Sequence, residues 1–180
     1  MDKRSLYWYF LTGIFTIQSI AVVWYQLQLA SDNNQDVEKY VGLHLNYGRL
    51  GNQLFHLITG YGIARTLGRI HYLPFENARS HVLNYLKIFD EAFPELRHTY
   101  VLSTNDTNQT LIAFAGSCCA YDNPNRLLNE TAEYLLLNFV YGQNPRYFDK
   151  YLSEIRDLLR FSDKVRHEGK LAMDVLQSYG

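Results

Sequence analysis

The sequence predicts an α/β domain with a mainly parallel sheet, because segments typical of strands alternate with segments typical of helices. Apolar residues alternate with smaller or polar ones over residues 40–45, which predicts a strand. Apolar side chains then recur at helical spacing from Leu54 to Leu67, and Gly68 ends this predicted helix. A second short strand, "IHYLPF", is predicted at residues 70–75. Together these segments have the length of a parallel strand–helix–strand crossover.

The rest of the chain continues the alternation of strands and helices. Its predicted elements are a helix over residues 81–93 that Pro94 stops, short strands over 99–102 and 111–115, an apolar run over 133–142, an amphipathic helix from Asn144–Pro145 to about Phe161, and a helix that Ser162 caps and that ends near Gln177. The aromatic residues of the amphipathic helix are expected to pack in the core.

Composition bounds the class of protein. The chain has 180 residues, of which 47% are hydrophobic, as suits one globular domain. The net charge of -1 gives no electrostatic reason to expect nucleic acid as a partner. The six histidines show no zinc spacing and no Asp-x-Asp occurs, so no metal site is expected. His56, on the first predicted helix, is expected at the surface or its boundary.

The N-terminal segment is predicted to be a membrane anchor. No charged residue lies between Arg4 and Asp32, and about 20 apolar residues are enough to cross a bilayer. Lys3 and Arg4 precede the apolar run and acidic residues follow it, so the positive-inside rule places the N-terminus in the cytosol. The predicted organisation is a cytosolic tail over residues 1–5, a transmembrane signal anchor over 6–29, a stem over 30–39 and a lumenal domain over 40–180.

A cleaved signal peptide is the alternative for the same segment. The apolar run is longer than the roughly 7–15 residues of such a peptide, and "LQLAS" is a poor cleavage site.

Two features accord with a domain in the secretory lumen. Three N-glycosylation sequons begin at Asn105, Asn108 and Asn129, and they matter only in that compartment. The only two cysteines are the adjacent Cys118 and Cys119. Neighbouring cysteines rarely bridge each other because the short ring strains disulfide geometry, and this chain offers no other partner. Two small buried thiols are the simplest expectation for them.

The stretch "NYGRLGNQLFHLITGYGIARTLGR", residues 46–69, is the candidate binding segment. Glycine at a strand-to-helix turn lets backbone approach a ligand closely, and a helix N-terminus suits a phosphate. Arg49 can add a bidentate contact to phosphate or carboxylate. Asn52 can cap the helix or reach into a cleft, and Gln53 can do the latter. A tight turn with Asn52 as an ordinary N-cap is the alternative without a ligand.

"GRLGNQLF", followed by a helix of small residues, resembles the opening motif of the α-1,2-fucosyltransferases. "YGQNPRYFDKYLSEIRDLLRFSDKVR" is similar to a second segment of that family, of the form Gly-x-x-Gln-x-x-x-Tyr-Phe. The resemblance covers roughly Val41 to the C-terminus. A type II anchor and sequons are what Golgi members of the family carry.

The resemblance implies a fold and an activity. The fold is the N-terminal Rossmann-like half of a GT-B-type fucosyltransferase, preceded by one transmembrane helix. The activity is an inverting, metal-independent transfer of fucose from GDP-fucose to a galactose hydroxyl of a glycan, with no further cofactor. The site residues carried over by motif, which are expected to face the cleft, are Gly48, Arg49, Gly51, Asn52 and Gln53.

One departure from the family pattern weakens the expectation of activity. The main GDP-fucose motif of the family, His-x-Arg-Arg-Gly-Asp, does not occur in this chain. Stabilisation of a leaving diphosphate by such charge is worth several kcal/mol of barrier. We therefore expect the chain as given to be inactive or barely active. A non-catalytic, membrane-anchored glycoprotein is the alternative function, and a generic anchored α/β module with a coincidental motif is the third.

Overall fold

The computed structural model describes residues 37–179, and within them the predicted α/β architecture is confirmed. Five parallel strands form one sheet in the order β3-β2-β1-β5-β4. The strands are β1 (Tyr40–Leu43), β2 (Ile70–Leu73), β3 (Val101–Leu102), β4 (Thr110–Ala113) and β5 (Tyr134–Asn138), and the helices are α1 (Leu50–Leu67), α2 (Arg79–Ala92), α3 (Leu152–Leu158) and α4 (Asp163–Ser178).

The predicted membrane anchor, residues 6–29, lies outside the described residues. Within residues 37–179, no helix combines the length and apolar character that a membrane crossing requires.

The strand order changes direction beside β1. From β1 the chain passes through α1 to β2 and then to β3 on one side, whereas β5 and β4 occupy the other side. Open parallel sheets bind ligands in the crevice outside the carboxyl ends of their strands at such a switch point. In this sheet that crevice lies where the loops after Leu43 and Asn138 emerge.

Helix α1 connects the two clusters of buried apolar side chains that hold the sheet in place. Ile58 and Ile63 pack in the cluster that contains β5, and Leu57 packs in the cluster that contains α2. The helix is buried along most of its length, so its N-terminus is held rigidly against the end of β1.

Several predicted boundaries are confirmed, each by a local cause. Gly68 ends α1 with a φ of 62°, the left-handed conformation that glycine adopts without penalty. Helix α2 ends before Pro94, and the Ser162 side chain caps α4 by accepting from the Val165 N–H. The predicted strand over 111–115 ends at Ala113, because Ala115 adopts a φ of 33° that a strand cannot contain.

The single long helix predicted from Asn144–Pro145 to Phe161 is wrong. The segment forms two 3₁₀ turns, Pro145–Tyr147 and Asp149–Tyr151, before α3 begins. Phe148 breaks the helix with a φ of -136°, and its buried side chain packs at the edge of the Phe55 ring. Tertiary packing of aromatic residues here overrides the helical periodicity.

The expectation that His56 lies at the surface is also wrong. His56 and His71 are both fully buried, and neither ring has a hydrogen-bond partner on either nitrogen. Burial lowers the pKa of His56 to about 4. Burial and the neighbouring His56 lower the pKa of His71 to about 3. Both rings therefore stay neutral in the folded protein near neutral pH.

We predict that acid destabilises this fold through the two buried histidines. An unfolded histidine takes up a proton near its ordinary pKa of 6.5, whereas the folded rings do not until the pH is far lower. The stability that the neutral rings retain above pH 6.5 is therefore lost as the pH falls towards 4. The expected loss at about pH 5 is about 2 kcal/mol of unfolding free energy for each histidine.

Urea unfolding at about pH 7.5 and about pH 5 measures this difference. The variant His167→Gln is the control, because His167 is exposed on α4 and its loss should leave the pH dependence intact. An unfolding free energy that stays constant or rises as the pH is lowered from about 7.5 to about 5 would contradict the prediction.

Candidate functional site

The glycine-containing turn lies directly at the carboxyl end of β1. The strand ends at Leu43 and α1 begins at Leu50, one residue before Gly51. Arg49 is the N-cap residue, and its side chain makes no capping hydrogen bond to the helix. Asn52 is thus inside the helix and is not its N-cap. The N–H groups of this first turn have no partner within the helix and remain available to water or a ligand.

The buried side-chain amide of Gln53 holds the turn in place by hydrogen bonds to its oxygens. The Gln53 side chain is 1% exposed, and its Nε2 donates towards the Asn46 main-chain oxygen at 2.9 Å, the Asn46 Oδ1 at 3.0 Å and the Gly48 oxygen at 3.0 Å. Asn46 Oδ1 also accepts from the Gly48 N–H at 2.8 Å. Gln53 therefore lies inside the turn and does not face the crevice, because its amide is buried among the oxygens to which it donates.

Gly48 is the point where the turn is most crowded. Its carbonyl accepts a second bond from His81 Nε2 at 2.9 Å, which ties the turn to α2. A Cβ atom at Gly48 would lie 2.5 Å from Asn52 Cβ and 2.7 Å from Asn46 Oδ1. Only glycine therefore fits this position without a shift of the surrounding network.

The turn is also bonded to the loop after β5, across the switch point. Asn46 Nδ2 donates to the Val140 carbonyl at 3.0 Å, and Gln143 Nε2 donates to Asn52 Oδ1 at 2.7 Å. These two bonds join residues more than 90 positions apart in the sequence. The crevice between β1 and β5 is thus bordered by two loops that hold each other in position.

The outer surface of the turn carries Arg49 and Gly51. Both are exposed, and a Cβ atom at Gly51 would meet nothing within 4 Å. The first turn of α1 contains no acidic residue. The positive end of the helix dipole and the guanidinium of Arg49 therefore act together, which suits an anionic ligand.

Three more residues, polar or aromatic, border the turn. The sequence alone did not single them out. His44 Nδ1 contacts Glu76 Oε1, and Glu76 Oε2 accepts from the Leu45 N–H at 2.9 Å, so the loops after β1 and β2 are joined. Tyr47 is 63% exposed and its ring lies against His81. Tyr47 and Glu76 line an open depression of about 390 Å³. Only their position after neighbouring parallel strands could have indicated them.

A second, larger groove of about 550 Å³ opens at the carboxyl ends of β4 and β5. Val140, which accepts from Asn46, lies in its wall together with Cys118 and Asp122. The hydrogen bonds that Arg126 donates hold the pKa of Asp122 below its usual value, so this carboxylate is ionised and paired. The groove thus gains no net charge from this pair.

Within the described part of the chain, no cluster of three or more His, Cys, Asp or Glu side chains could hold a metal ion. The three sequon asparagines, Asn105, Asn108 and Asn129, are all exposed. The expectation that Cys118 and Cys119 are buried is wrong, because both thiols are exposed in the loop after β4.

Comparison with known proteins places the chain near the glycosyltransferases. It is 27% identical over 114 residues to a Caenorhabditis elegans protein whose name assigns it to the glycosyltransferases, covering 62% of this chain and 31% of the relative. More particularly, the chain resembles fucosyltransferases. It is 31% and 30% identical, each over 116 residues, to two galactoside 2-alpha-L-fucosyltransferases of the same organism.

These two alignments cover 62% and 63% of this chain. The chain spans 28% to 32% of the length of the curated relatives it matches. No model of a known protein family matches the chain, and no solved structure matches it. The resemblance to the α-1,2-fucosyltransferases is therefore supported by relatives that carry that name.

We predict that the two glycines of the turn respond oppositely to alanine. Gly48→Ala forces a methyl group into Asn52 and Asn46, which should lower the unfolding free energy by about 1–3 kcal/mol. Gly51→Ala places a methyl group in open space within the first turn of a helix, and should be neutral or stabilise by up to about 1 kcal/mol.

Urea unfolding of the two variants beside the unchanged chain measures both effects, and Gly51→Ala is the matched control for Gly48→Ala. Equal stability of the two variants would show that the turn is not packed as described.

Proposed function

We propose that the chain forms the N-terminal Rossmann-like lobe of a GT-B-type galactoside α-1,2-fucosyltransferase. The reaction is an inverting, metal-independent transfer of fucose from GDP-fucose to a galactose hydroxyl. The observation that supports this most is the glycine turn, which is open and cationic at the sheet's switch point and carries the "GRLGNQ" motif of the family it resembles.

The charges of the turn fit the donor better than a neutral ligand. GDP-fucose carries a diphosphate, and the exposed Arg49 can form a bidentate contact with one of its phosphates. The free N–H groups of the first helical turn can donate to the same group. Asn52, half-buried and already bonded to Gln143, can turn its remaining donors towards the sugar or the acceptor. Gly51 leaves the space that such a close approach needs.

The described lobe lacks the main donor-binding motif of the family it resembles, which limits the catalysis expected of it. Because the chain has no His-x-Arg-Arg-Gly-Asp run, the groups that we assign to a diphosphate are Arg49 and the N–H groups of the first helical turn. We expect donor binding to be weak and transfer to be slow or absent in this chain. The same observation favours the second candidate, a non-catalytic glycoprotein that binds without transferring. An assay with GDP-fucose and a galactoside separates the two, since turnover identifies the enzyme.

The proposed location is the Golgi membrane, as a single-pass type II protein with residues 40–180 in the lumen. The exposure of Asn105, Asn108 and Asn129 leaves each sequon accessible to glycosylation. A mobility shift on removal of N-glycans from the chain expressed in cells is the expected result, and its absence would contradict a lumenal domain.

We predict that Arg49→Ala weakens GDP-fucose binding about tenfold or more, because a charge-assisted contact to phosphate is worth about 1.5–3 kcal/mol. Calorimetric titration of the unchanged chain and the variant with GDP-fucose measures the difference. Arg49→Lys should recover part of the loss, since lysine keeps the charge but not the bidentate geometry.

Arg97→Ala is the matched control. Arg97 is also an exposed arginine, but it lies in the 3₁₀ turn Pro94–Thr99 that precedes β3. This turn is at the amino end of its strand, whereas the crevice is at the carboxyl ends of the strands. Equal affinity in the Arg49→Ala and Arg97→Ala variants would refute the assignment of Arg49 to the donor.

A further inference from the structure

Cys118 and Cys119 form a paired dithiol on the protein surface. Their sulfur atoms lie 2.8 Å apart, and both thiols are exposed. Two thiols that already touch and face solvent present a chelating pair to any reagent that reacts with sulfur. Cys118 also lies in the wall of the groove at the ends of β4 and β5.

We propose that Cys118 and Cys119 are a redox-sensitive site, which a small disulfide such as oxidised glutathione converts into an intramolecular disulfide, and whose oxidation loosens the segment 142–144 beside the glycine turn. This inference does not depend on the proposed function, because it concerns the chemistry of the two thiols and the loop they hold.

The oxidation is a balanced two-step exchange. The thiolate of one cysteine attacks the small disulfide, forms a mixed disulfide and releases one small thiolate. The thiolate of the neighbouring cysteine then attacks the protein sulfur of the mixed disulfide, closes the ring and releases the second small thiolate. The protein loses two electrons and two protons, and the oxidant gains them as two thiols.

The ring is expected to be labile. Adjacent α-carbons are about 3.8 Å apart, whereas ordinary disulfides join α-carbons about 4.4–6.8 Å apart. Strained or exposed disulfides have the more oxidising potentials and are readily reduced again. The contact with Cys118 raises the pKa of the Cys119 thiol, so the exchange should accelerate as the pH rises.

The carbonyls of both cysteines are bonded to the loop that borders the crevice. The Gln143 N–H donates to the Cys118 carbonyl at 2.9 Å. The same N–H also donates to the Tyr141 carbonyl at 2.9 Å. The Cys119 carbonyl accepts from Asn144 Nδ2 at 2.8 Å. Ring closure must rotate the peptide between the two cysteines to bring the sulfurs to bonding distance, so the Cys118 carbonyl leaves its donor and the adjoining Cys119–Ala120 peptide is displaced from Asn144.

The loosened residue next to the crevice is Gln143. Its side chain donates to Asn52 in the first turn of α1 at 2.7 Å. A change in the oxidation state of the thiols thus reaches the candidate binding turn through a single intervening residue. The hydrogen bonds from Cys118 through Gln143 to Asn52 form a continuous path along which the two sites can be coupled.

The test compares the unchanged chain with Cys118→Ser, Cys119→Ser and the double variant, each treated with oxidised glutathione. The unchanged chain should lose both free thiols, remain monomeric and carry no glutathione, as mass spectrometry after alkylation shows. Each single variant should instead keep one bound glutathione. Glutathione adducts or disulfide-linked dimers as the main product of the unchanged chain would overturn the proposal.

Two further measurements test the proposal by readouts other than the products of glutathione oxidation. Phenylarsine oxide, which bonds to two thiols together, should dissociate from each single variant roughly a hundredfold faster than from the unchanged chain. Hydrogen exchange over residues 140–145 should be faster in the oxidised chain than in the reduced chain and unchanged by oxidant in the double variant. Equal exchange in both redox states would overturn the proposed link to Gln143. None of these readouts uses a nucleotide sugar, so failure of the proposed function would not affect them.

Discussion

The Gln53 amide, buried under the loop that joins the first strand to the first helix, is the contact on which the candidate site depends. Its Nε2 lies within hydrogen-bond distance of three oxygens of Asn46 and Gly48 and is itself out of contact with water. A buried oxygen without a donor costs about 1–3 kcal/mol. The glutamine therefore fixes the path of the loop, and the path presents Arg49 and the first N–H groups of α1 outwards.

The position of this loop follows from the topology of the sheet. Because β5 and β2 flank β1 on opposite sides, the loop stands at the one place where neighbouring connections diverge and leave a crevice. Two side-chain bonds, from Asn46 to Val140 and from Gln143 to Asn52, hold the crevice at a fixed width. The second bond also connects it, through Gln143, to the surface dithiol. A preorganised cationic turn of this kind fits the proposed role of a lobe that meets a nucleotide sugar.

Much of the fold could be predicted from residue patterns, whereas the internal contacts of the site could not. Strand alternation, helical spacing and the punctuation by Gly68, Pro94 and Ser162 depend on local physics, and the elements they predict are present. The helix break at Phe148 depends on packing against Phe55 and other core residues that are distant in the sequence. The inward direction of the Gln53 side chain likewise depends on where the carbonyls of residues 46–48 lie, which sequence spacing does not specify.

Burial of individual side chains could not be predicted from residue type either. The histidines are more buried than expected, and the two cysteines are more exposed. His56 is polar, yet the packing of α1 on the sheet buries it against its ordinary preference. Cys118 and Cys119 are small and weakly polar, yet the loop after β4 leaves them exposed. In each case burial is set by the element's position in the fold. The binding roles of Gly48, Arg49, Gly51, Asn52 and Gln53 stay predictions, with Gln53 placed as the support of the turn.

The central claim is that the turn between β1 and α1 is a preorganised donor-binding surface. Titration of the isotope-labelled chain with GDP-fucose, followed by amide chemical shifts in NMR, tests it most directly. The account predicts saturable shifts at residues 48–52 and at residues 140–143 across the crevice, with the amides of residues 94–101 at the opposite edge unchanged. Shifts confined to that opposite edge, or no shifts in the turn at saturating donor, would contradict it.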